Sequence, residues 1–277
     1  MNDSNNSFSI GFIGGGNMAR SIIGGLVADT TLSLDIQVYD HSKETLSSLK
    51  KEFSVTPATS NQALVEHCDV VVLAVKPQVM KSVLSELDAT NTRAVFLSIA
   101  AGLTIASLTK WLGSDAAIIR TMPNTPALVQ CGATGLFANT LTSSTQKNSA
   151  NIVMKSVGIA IWVDSEDLLD SVTALSGSGP AYYFLVMEAM QAAAEKLGLN
   201  TDTARQLTIQ TALGAATLAS QSAEDLSVLR QRVTSPGGTT EQAINTFMDN
   251  HLTEIFGKAM QAAFDRSKEL AIELDKD

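Results

Sequence analysis

The chain has 277 residues, of which 45% are hydrophobic and 17% charged, so it is long enough for two domains and too apolar to be disordered. Its formal net charge is −9 without a basic cluster, which argues against nucleic acid as a partner. No basic segment precedes an apolar one at the N-terminus, and no apolar run is as long as a membrane span, so we expect a cytoplasmic protein without a signal peptide.

The first part of the chain alternates strand and helix patterns. Seven short apolar runs are predicted strands: "SFSIGFIG", "DIQVYD", "CDVVVLAVKP", "RAVFLSIAAG", "AAIIRTMPN", "GATGLFAN" and "IAIWVDS". Segments between them have helical spacing, such as "SKETLSSLKKEF", which Ser42 is expected to cap. This alternation predicts a Rossmann-like doubly wound sheet, largely parallel, with helices on both faces.

The rest of the chain has only helical periodicity. From about Glu166 no further strand candidate occurs, and six segments repeat their apolar residues at helical spacing. We therefore place a domain boundary between Asp164 and Ser165, with an α/β domain at 1–164 and an all-helical domain at 165–277.

A glycine fingerprint follows the first predicted strand. "GGGNMA" at residues 14–19 fits G-x-G-x-x-G/A and opens a helix. Gly14 permits a tight turn, Gly16 lets a pyrophosphate approach the backbone, and Ala19 keeps the helix close to the sheet. Because a helix N-terminus attracts negative charge, this segment predicts dinucleotide binding.

Asp40 closes the second strand, 21 residues beyond Ala19. An acid there can hold a ribose 2′-hydroxyl and disfavours a 2′-phosphate, although His41 and Lys43 follow at once and could offset it. A strand-end turn residue explains Asp40 equally well. The sequence therefore predicts NADPH or NADH without choosing between them.

Three later loops, "AVKPQ", "AAGLT" and "MPNTP", each follow an apolar strand. Ligands of doubly wound sheets bind at the carboxyl ends of strands, so these loops are expected to border one crevice. The alternative is that Pro77, Gly102 and Pro123 merely end their strands.

"SPGGTT" at residues 235–240, here called the SPGGTT loop, interrupts two helical patterns. Backbone N–H groups at the start of the next helix, with the hydroxyls of Ser235, Thr239 and Thr240, could hold the carboxylate of a small acid. The competing explanation is an interhelix turn in which Thr239 or Thr240 is the N-cap and no ligand is needed.

Five motifs together resemble the pyrroline-5-carboxylate reductase family over nearly the whole chain: "IGFIGGGNMA", "LAVKPQ", "RTMPNTPALV", "ALSGSGPAYYF" and "VTSPGGTT". The resemblance implies NAD(P)H-dependent reduction of the cyclic imine 1-pyrroline-5-carboxylate to L-proline. It also implies a Rossmann-like domain followed by a helical domain that interlocks two subunits.

The resemblance further implies particular contacts. The cofactor contacts it implies are Gly14, Gly16, Asn17, Met18, Asn61, Ala74, Val75, Lys76, Pro77, Ala100, Ala101 and Gly102, to which Asp40 is added from its position. The substrate contacts are Ser235, Gly237, Gly238, Thr239 and Thr240. We expect the Thr240 hydroxyl to have the catalytic role, because it can orient the imine nitrogen.

Two other functions compete with this one. "SGSGPAYYF" also resembles β-hydroxyacid dehydrogenases, which carry a lysine one helical turn beyond their glycines, whereas this chain has Tyr182 and Tyr183 there and no lysine before Lys196. An imine arrives protonated and needs no such acid, so the missing lysine favours an imine. A non-catalytic dinucleotide-binding sensor would have no use for the SPGGTT loop.

The helical domain is apolar over wide arcs. "AYYFLVMEAMQAAA" carries one charge, Glu188, and "TALGAATLAS" is small and apolar nearly all round. Helices of this kind must be buried, so we expect a homodimer and allow for a higher ring of dimers, the alternative being a self-contained bundle. Cys68 and Cys131 form no CxxC pair and the three histidines are scattered, so no metal site is expected.

Overall fold

A computed structural model describes residues 7–276. Its strands are β1 (Ser7–Ile13), β2 (Ser33–Tyr39), β3 (Thr56–Pro57), β4 (Val70–Leu73), β5 (Val95–Ser98), β6 (Ala117–Met122), β7 (Gly132–Ala138) and β8 (Gly158–Trp162). They form one sheet in the order β3-β2-β1-β4-β5-β6-β7-β8. Every neighbouring pair is parallel except β6 and β7, so the predicted doubly wound, largely parallel sheet is confirmed.

Within residues 7–276, six α-helices alternate with the strands: α1 (Asn17–Ala28), α2 (Lys43–Phe53), α3 (Asn61–His67), α4 (Pro77–Leu84), α5 (Ile105–Leu112) and α6 (Ser144–Lys155). A short 3-10 helix (Thr125–Val129) lies between β6 and β7. The Ser42 side chain accepts a hydrogen bond from the backbone N of Thr45 at 3.2 Å, so its predicted cap is present. The edge strand β3 was missed because it has two residues, one of them Pro57, and no apolar pattern.

The second half is helical, as predicted. It contains α7 (Leu168–Val172), a π-helical turn (Thr173–Gly177), α8 (Gly179–Lys196), α9 (Thr201–Gln221), α10 (Leu226–Arg232), α11 (Thr239–Asp249) and α12 (Leu252–Lys276). A single π-helical turn beside a glycine-rich segment is a feature often found at functional sites.

The sheet is buried on both faces. In β4, Val70 and Val72 pack with α1 and α6 on one side, whereas Val71 and Leu73 pack with α3, α4 and α5 on the other. All four side chains are fully buried, which explains the continuous apolar run of this strand.

The chain divides into two compact units, one within Met1–Ser178 and Ala263–Asp277 and the other within Gly179–Ala262. Side-chain contacts explain why short segments of the helical half group with the sheet. Glu166 accepts a hydrogen bond from Ile105 N at 2.8 Å, and Ser267 Oγ donates to the buried carboxylate of Asp170 at 2.7 Å. The boundary after Asp164 stays a prediction.

The two cysteines are free thiols: Cys68 is buried and Cys131 is exposed. Burial, and then the negative charges of Asp35 and Asp69, raise the pKa of the Cys68 thiol to about 12. Within residues 7–276, no three or more histidine, cysteine or acidic side chains form a group that could hold a metal ion. None of the helices described there combines the length and hydropathy of a membrane span.

Candidate functional site

The glycine-rich loop joins β1 to α1 in a tight turn. Gly14 has φ +97°, and its backbone N donates to Tyr39 O at 2.9 Å. A Cβ at Gly14 would lie 2.9 Å from the backbone oxygen of Ala74, and a Cβ at Gly15 would lie 2.7 Å from Leu49 Cδ1. The first two glycines are therefore required by backbone conformation and close packing within the protein.

Gly16 differs from both. It is exposed and has ordinary extended angles (φ −67°, ψ −177°), and a Cβ built on it meets no atom within 4 Å. α1 begins at the next residue, Asn17, and no side chain caps it. Open space in front of uncapped helical N–H groups fits a pyrophosphate, the role predicted for Gly16. Met18, in contrast, packs partly against the core.

Asp40 holds the turn at the end of β2. One carboxylate oxygen accepts from Gly15 N and the other from Ser42 N, both at 2.8 Å. The side chain is 12% exposed, while the neighbouring His41 is fully exposed. Asp40 is thus a turn residue whose carboxylate lies against the glycine-rich loop, and its contact with a ribose 2′-hydroxyl stays a prediction.

The loops after β4 and β5 lie at the same edge of the sheet as the glycine-rich loop. Ala74 N donates to Ile13 O at 2.9 Å and Ile99 N donates to Leu73 O at 3.3 Å, which links the ends of β1, β4 and β5 in sequence. Lys76 is the N-cap residue of α4 and Pro77 its first residue. After β5, Ala100 is buried, Ala101 is exposed and Gly102 has φ +78°.

Asn61, the first residue of α3, has a buried Oδ1 atom without a hydrogen-bond partner in the part of the chain that the structure describes. A buried acceptor left alone is costly, so it points to a donor from a bound molecule. A ribose hydroxyl is such a donor, and the expected role of Asn61 as a cofactor contact stays a prediction.

The third predicted loop, "MPNTP", makes hydrogen bonds that stabilise the fold. Asn124 is buried, and its side chain donates to Ser176 O at 3.0 Å and accepts from Ala133 N at 2.9 Å. Since β5 and β6 are parallel, the loop lies at the expected edge. Its Asn124 links β6 to the π-helical turn and to the start of β7.

The SPGGTT loop lies in the other compact unit, where it follows α10 and includes the first two residues of α11. α11 begins at Thr239 with Gly238 as its N-cap residue, so the alternative in which Thr239 or Thr240 is the N-cap is wrong. The extended Gly238 (φ −83°, ψ 171°) takes the cap position, and its O accepts from Gln242 N. Thr239 and Thr240 thus occupy the first turn, where N–H groups have no acceptors within the helix.

Two of the amides that we expected to bind a ligand are already paired. Gly237 N donates to Glu241 Oε2 at 2.8 Å, and Gly238 N donates to Ser235 O at 3.0 Å. Glu241 was not among the predicted residues, although an acid in the first turn that reaches back to the preceding backbone is a common capping arrangement. The hydroxyls and the amides of Thr239 and Thr240 remain as the donors suited to an anion.

The two tyrosines of "GPAYYF" have different environments. Tyr183 is 69% exposed, whereas Tyr182 is partly buried and its hydroxyl has no hydrogen-bond partner among the described residues. A buried hydroxyl of this kind is normally satisfied, so packing alone does not explain Tyr182.

An ion pair that the sequence did not reveal joins β6 to Glu166 and to the start of α5. The Arg120 side chain of β6 is 7% exposed, and its Nη1 lies 2.9 Å from Glu166 Oε1. The same carboxylate oxygen accepts a hydrogen bond from Ile105 N at the start of α5. The two residues are 46 positions apart. A pair so far apart in sequence has no short-range signature.

Comparisons with known proteins agree with the motifs. Family models described as "NADP oxidoreductase coenzyme F420-dependent" and "Pyrroline-5-carboxylate reductase dimerisation" match residues 9–102 and 166–270. A pyrroline-5-carboxylate reductase from Pseudomonas aeruginosa is 49% identical over 266 residues, covering 96% of this chain and 97% of that protein.

Solved structures give the same result. One of a pyrroline-5-carboxylate reductase from Coxiella burnetii is 49% identical with a TM-score of 0.91, covering 98% of this chain and 99% of that chain. The Plasmodium falciparum pyrroline carboxylate reductase, solved with NADP bound, is 31% identical with a TM-score of 0.81, covering 95% of this chain and 98% of that one.

Proposed function

This chain belongs to the pyrroline-5-carboxylate reductase family, and on that premise we propose that it holds its nicotinamide cofactor at the glycine-rich loop and its imine at the SPGGTT loop. The chain is an oxidoreductase that reduces 1-pyrroline-5-carboxylate to proline. Neither the β-hydroxyacid dehydrogenase nor the dinucleotide-binding sensor is retained.

The observation that carries the cofactor site is the open space at Gly16, in front of the uncapped start of α1. The backbone amides there are proposed to bind the pyrophosphate, with Asn17 and Met18 in the same turn. Asn61 Oδ1 accepts from a ribose hydroxyl. The remaining contacts are assigned to the two neighbouring loops, at Ala74, Val75, Lys76, Pro77, Ala100, Ala101 and Gly102.

Cofactor choice is proposed to depend on Asp40. The Plasmodium falciparum relative was solved with NADP, a cofactor that carries a 2′-phosphate. In this chain the carboxylate of Asp40 lies at the end of β2 and is barely solvated. We propose that NADPH and NADH both serve and that Asp40 lowers the preference for NADPH.

The SPGGTT loop is proposed to hold the substrate by its carboxylate. The amides and hydroxyls at the start of α11 bind the anion, and the Thr240 hydroxyl orients the ring nitrogen. NAD(P)H supplies the hydride for the ring carbon of the C=N bond, and the electrons of that π bond pass to the protonated nitrogen, which becomes the amine of proline. Orientation is therefore the main contribution of the chain.

Assembly is proposed to complete the site. The helical unit exposes large apolar side chains within the stretch matched as a dimerisation region, including Phe184, Leu185, Leu213 and Leu218, each at least 58% exposed. A second copy is the natural cover for such helices. We propose a homodimer in which the SPGGTT loop of one subunit serves the cofactor of the other, with a ring of dimers as a further possibility. We also propose a cytoplasmic location, in keeping with two free thiols.

Steady-state kinetics with Thr240→Ala tests the substrate site. Loss of a hydrogen bond to the substrate should lower kcat/KM for the imine by roughly tenfold, with unchanged affinity for the cofactor. Thr234→Ala is the matched control, because the Thr234 hydroxyl donates to Arg230 O at 2.7 Å instead. If Thr240→Ala shows the kcat/KM of the unmodified chain, the SPGGTT loop does not bind the imine through Thr240.

A further inference from the structure

The last turns of α12 pack against the loop that follows β5. Gly102 turns this loop with φ +78°, and a Cβ built there would lie 2.8 Å from Leu274 Cδ1 and 3.9 Å from the backbone carbonyl carbon of Leu270. Leu274 is partly buried and packs against the core on the α3, α4 and α5 face of the sheet. The C-terminal helix therefore touches the loop at the residue where the loop changes direction.

Asp275 fixes the same helix end to α5. Its Oδ1 accepts from Ser107 Oγ at 2.7 Å and from Lys110 Nζ at 2.8 Å, and its Oδ2 lies 2.9 Å from the same amine. Ser107 is 1% exposed, so its hydroxyl depends on this carboxylate and on Thr104. These hydrogen bonds, from Lys110 first and then Ser107, lower the pKa of Asp275 below its ordinary value.

The start of α5 is held from a second direction by Glu166, through Ile105 N. Residues 100–102 are thus confined between a tether at the start of α5 and the packing of Leu274 on Gly102. An ordinary helix end requires neither contact. The packing of Leu274 falls on the loop to which cofactor contacts at Ala100, Ala101 and Gly102 are assigned, and the Glu166 hydrogen bond lies just beyond that loop, at Ile105 N.

We propose that Leu274 and Asp275 are positioning residues for cofactor binding: they hold residues 100–102 in the conformation that receives the nicotinamide dinucleotide. This inference rests on the proposed function. The inference extends the proposed function, because neither Leu274 nor Asp275 belongs to one of the sequence motifs or lies in the glycine-rich loop. A loop that is only partly in its competent conformation binds more weakly in proportion to the competent fraction.

The experiment measures the Kd of NADPH by fluorescence titration and the KM of cofactor and imine for Leu274→Ala and Asp275→Asn. Ile272→Ala is the matched control, because Ile272 lies in the same turn and is 59% exposed. We expect roughly five- to tenfold weaker NADPH binding in both variants and an unchanged KM for the imine. Asp275→Glu should restore part of the affinity.

Stability alone would give a different pattern. The positioning role is refuted if both Leu274→Ala and Asp275→Asn bind NADPH within twofold of the Kd of the unmodified chain and differ from it only in thermal midpoint. Gly16→Val, measured in parallel, separates two failures. If Gly16→Val weakens NADPH binding and the two C-terminal variants do not, only the positioning role is refuted. If none of the three variants weakens NADPH binding, the proposed cofactor site is refuted as well.

Discussion

Gly16→Val is expected to damage cofactor binding and spare the fold. A Cβ at Gly16 meets nothing within 4 Å, and its angles suit any residue, so the new side chain fills only the space proposed for the pyrophosphate. The poorer N-cap costs at most about 1 kcal/mol of stability. A substitution at Gly16 therefore separates cofactor binding from folding better than a substitution at Gly14 or Gly15 would.

The size of the effect follows from what the pyrophosphate would lose. One charge-assisted hydrogen bond is worth about 1.5–3 kcal/mol, and the field of a helix N-terminus about 0.3–1 kcal/mol. A combined loss of roughly 2–4 kcal/mol corresponds to a roughly 30- to 700-fold rise in Kd, at about 1.4 kcal/mol per tenfold.

Isothermal titration with NADPH and a thermal melt measure the two quantities. Gly14→Ala is the contrasting variant, since φ +97° strains any side chain and its Cβ would lie 2.9 Å from Ala74 O. Gly113→Ala, also at φ +97° but with open space around it, isolates the strain alone. A Gly16→Val protein that binds NADPH as tightly as the unmodified chain would refute the assignment of the pyrophosphate to α1.

Four further predictions concern single charges and thiols. Asp40→Asn should raise kcat/KM for NADPH relative to NADH by roughly tenfold, because the 2′-phosphate no longer meets a carboxylate, and an unmoved ratio would leave Asp40 with its turn role alone. Glu241→Gln keeps an acceptor for Gly237 N and removes a charge beside the substrate carboxylate, so the KM for the imine should fall roughly two- to fivefold; a higher KM contradicts this. At pH 8 a thiol reagent should modify Cys131 at once and Cys68 only after unfolding, and equal rates would be the contrary result. The pKa of the Cys68 thiol is about 12 in the folded chain and about 9 in the unfolded chain, so the unfolded chain loses this proton first as pH rises. The contribution of Cys68 to the free energy of unfolding is therefore fully present below about pH 9 and is lost between about pH 9 and pH 12.

Local patterns were sufficient for most of the sheet and for the conformation of the glycine-rich loop. Buried strands such as β4 carry continuous apolar runs, and the fingerprint follows β1 directly, so both are visible in short windows of sequence. The conformation of Gly14 agrees with the tight turn predicted for it. Asp40 was ambiguous because one side chain both holds the turn and faces the glycine-rich loop.

Long-range contacts were not accessible in this way. The cap of α11 depends on one backbone torsion pair at Gly238, which the letters "GGTT" do not determine. The Arg120–Glu166 pair and the Asp275–Ser107 hydrogen bond join residues 46 and 168 positions apart, respectively, and charged residues of this kind otherwise resemble solvated surface residues. Only the fold brings them together.

The shared site is tested most directly by mixing two impaired variants, Gly16→Val and Thr240→Ala, refolding them together and assaying the mixture at subsaturating NADPH and imine. In a dimer with sites built across subunits, each mixed dimer regains one intact site, formed by the glycine-rich loop of one chain and the SPGGTT loop of the other. With random pairing, half of the dimers are mixed, so about a quarter of the activity of the unmodified enzyme should return. Each variant refolded alone should stay at its own residual rate. A mixture with no more activity than the mean of the two separate variants would show that each subunit contains its whole site and would contradict the proposed arrangement.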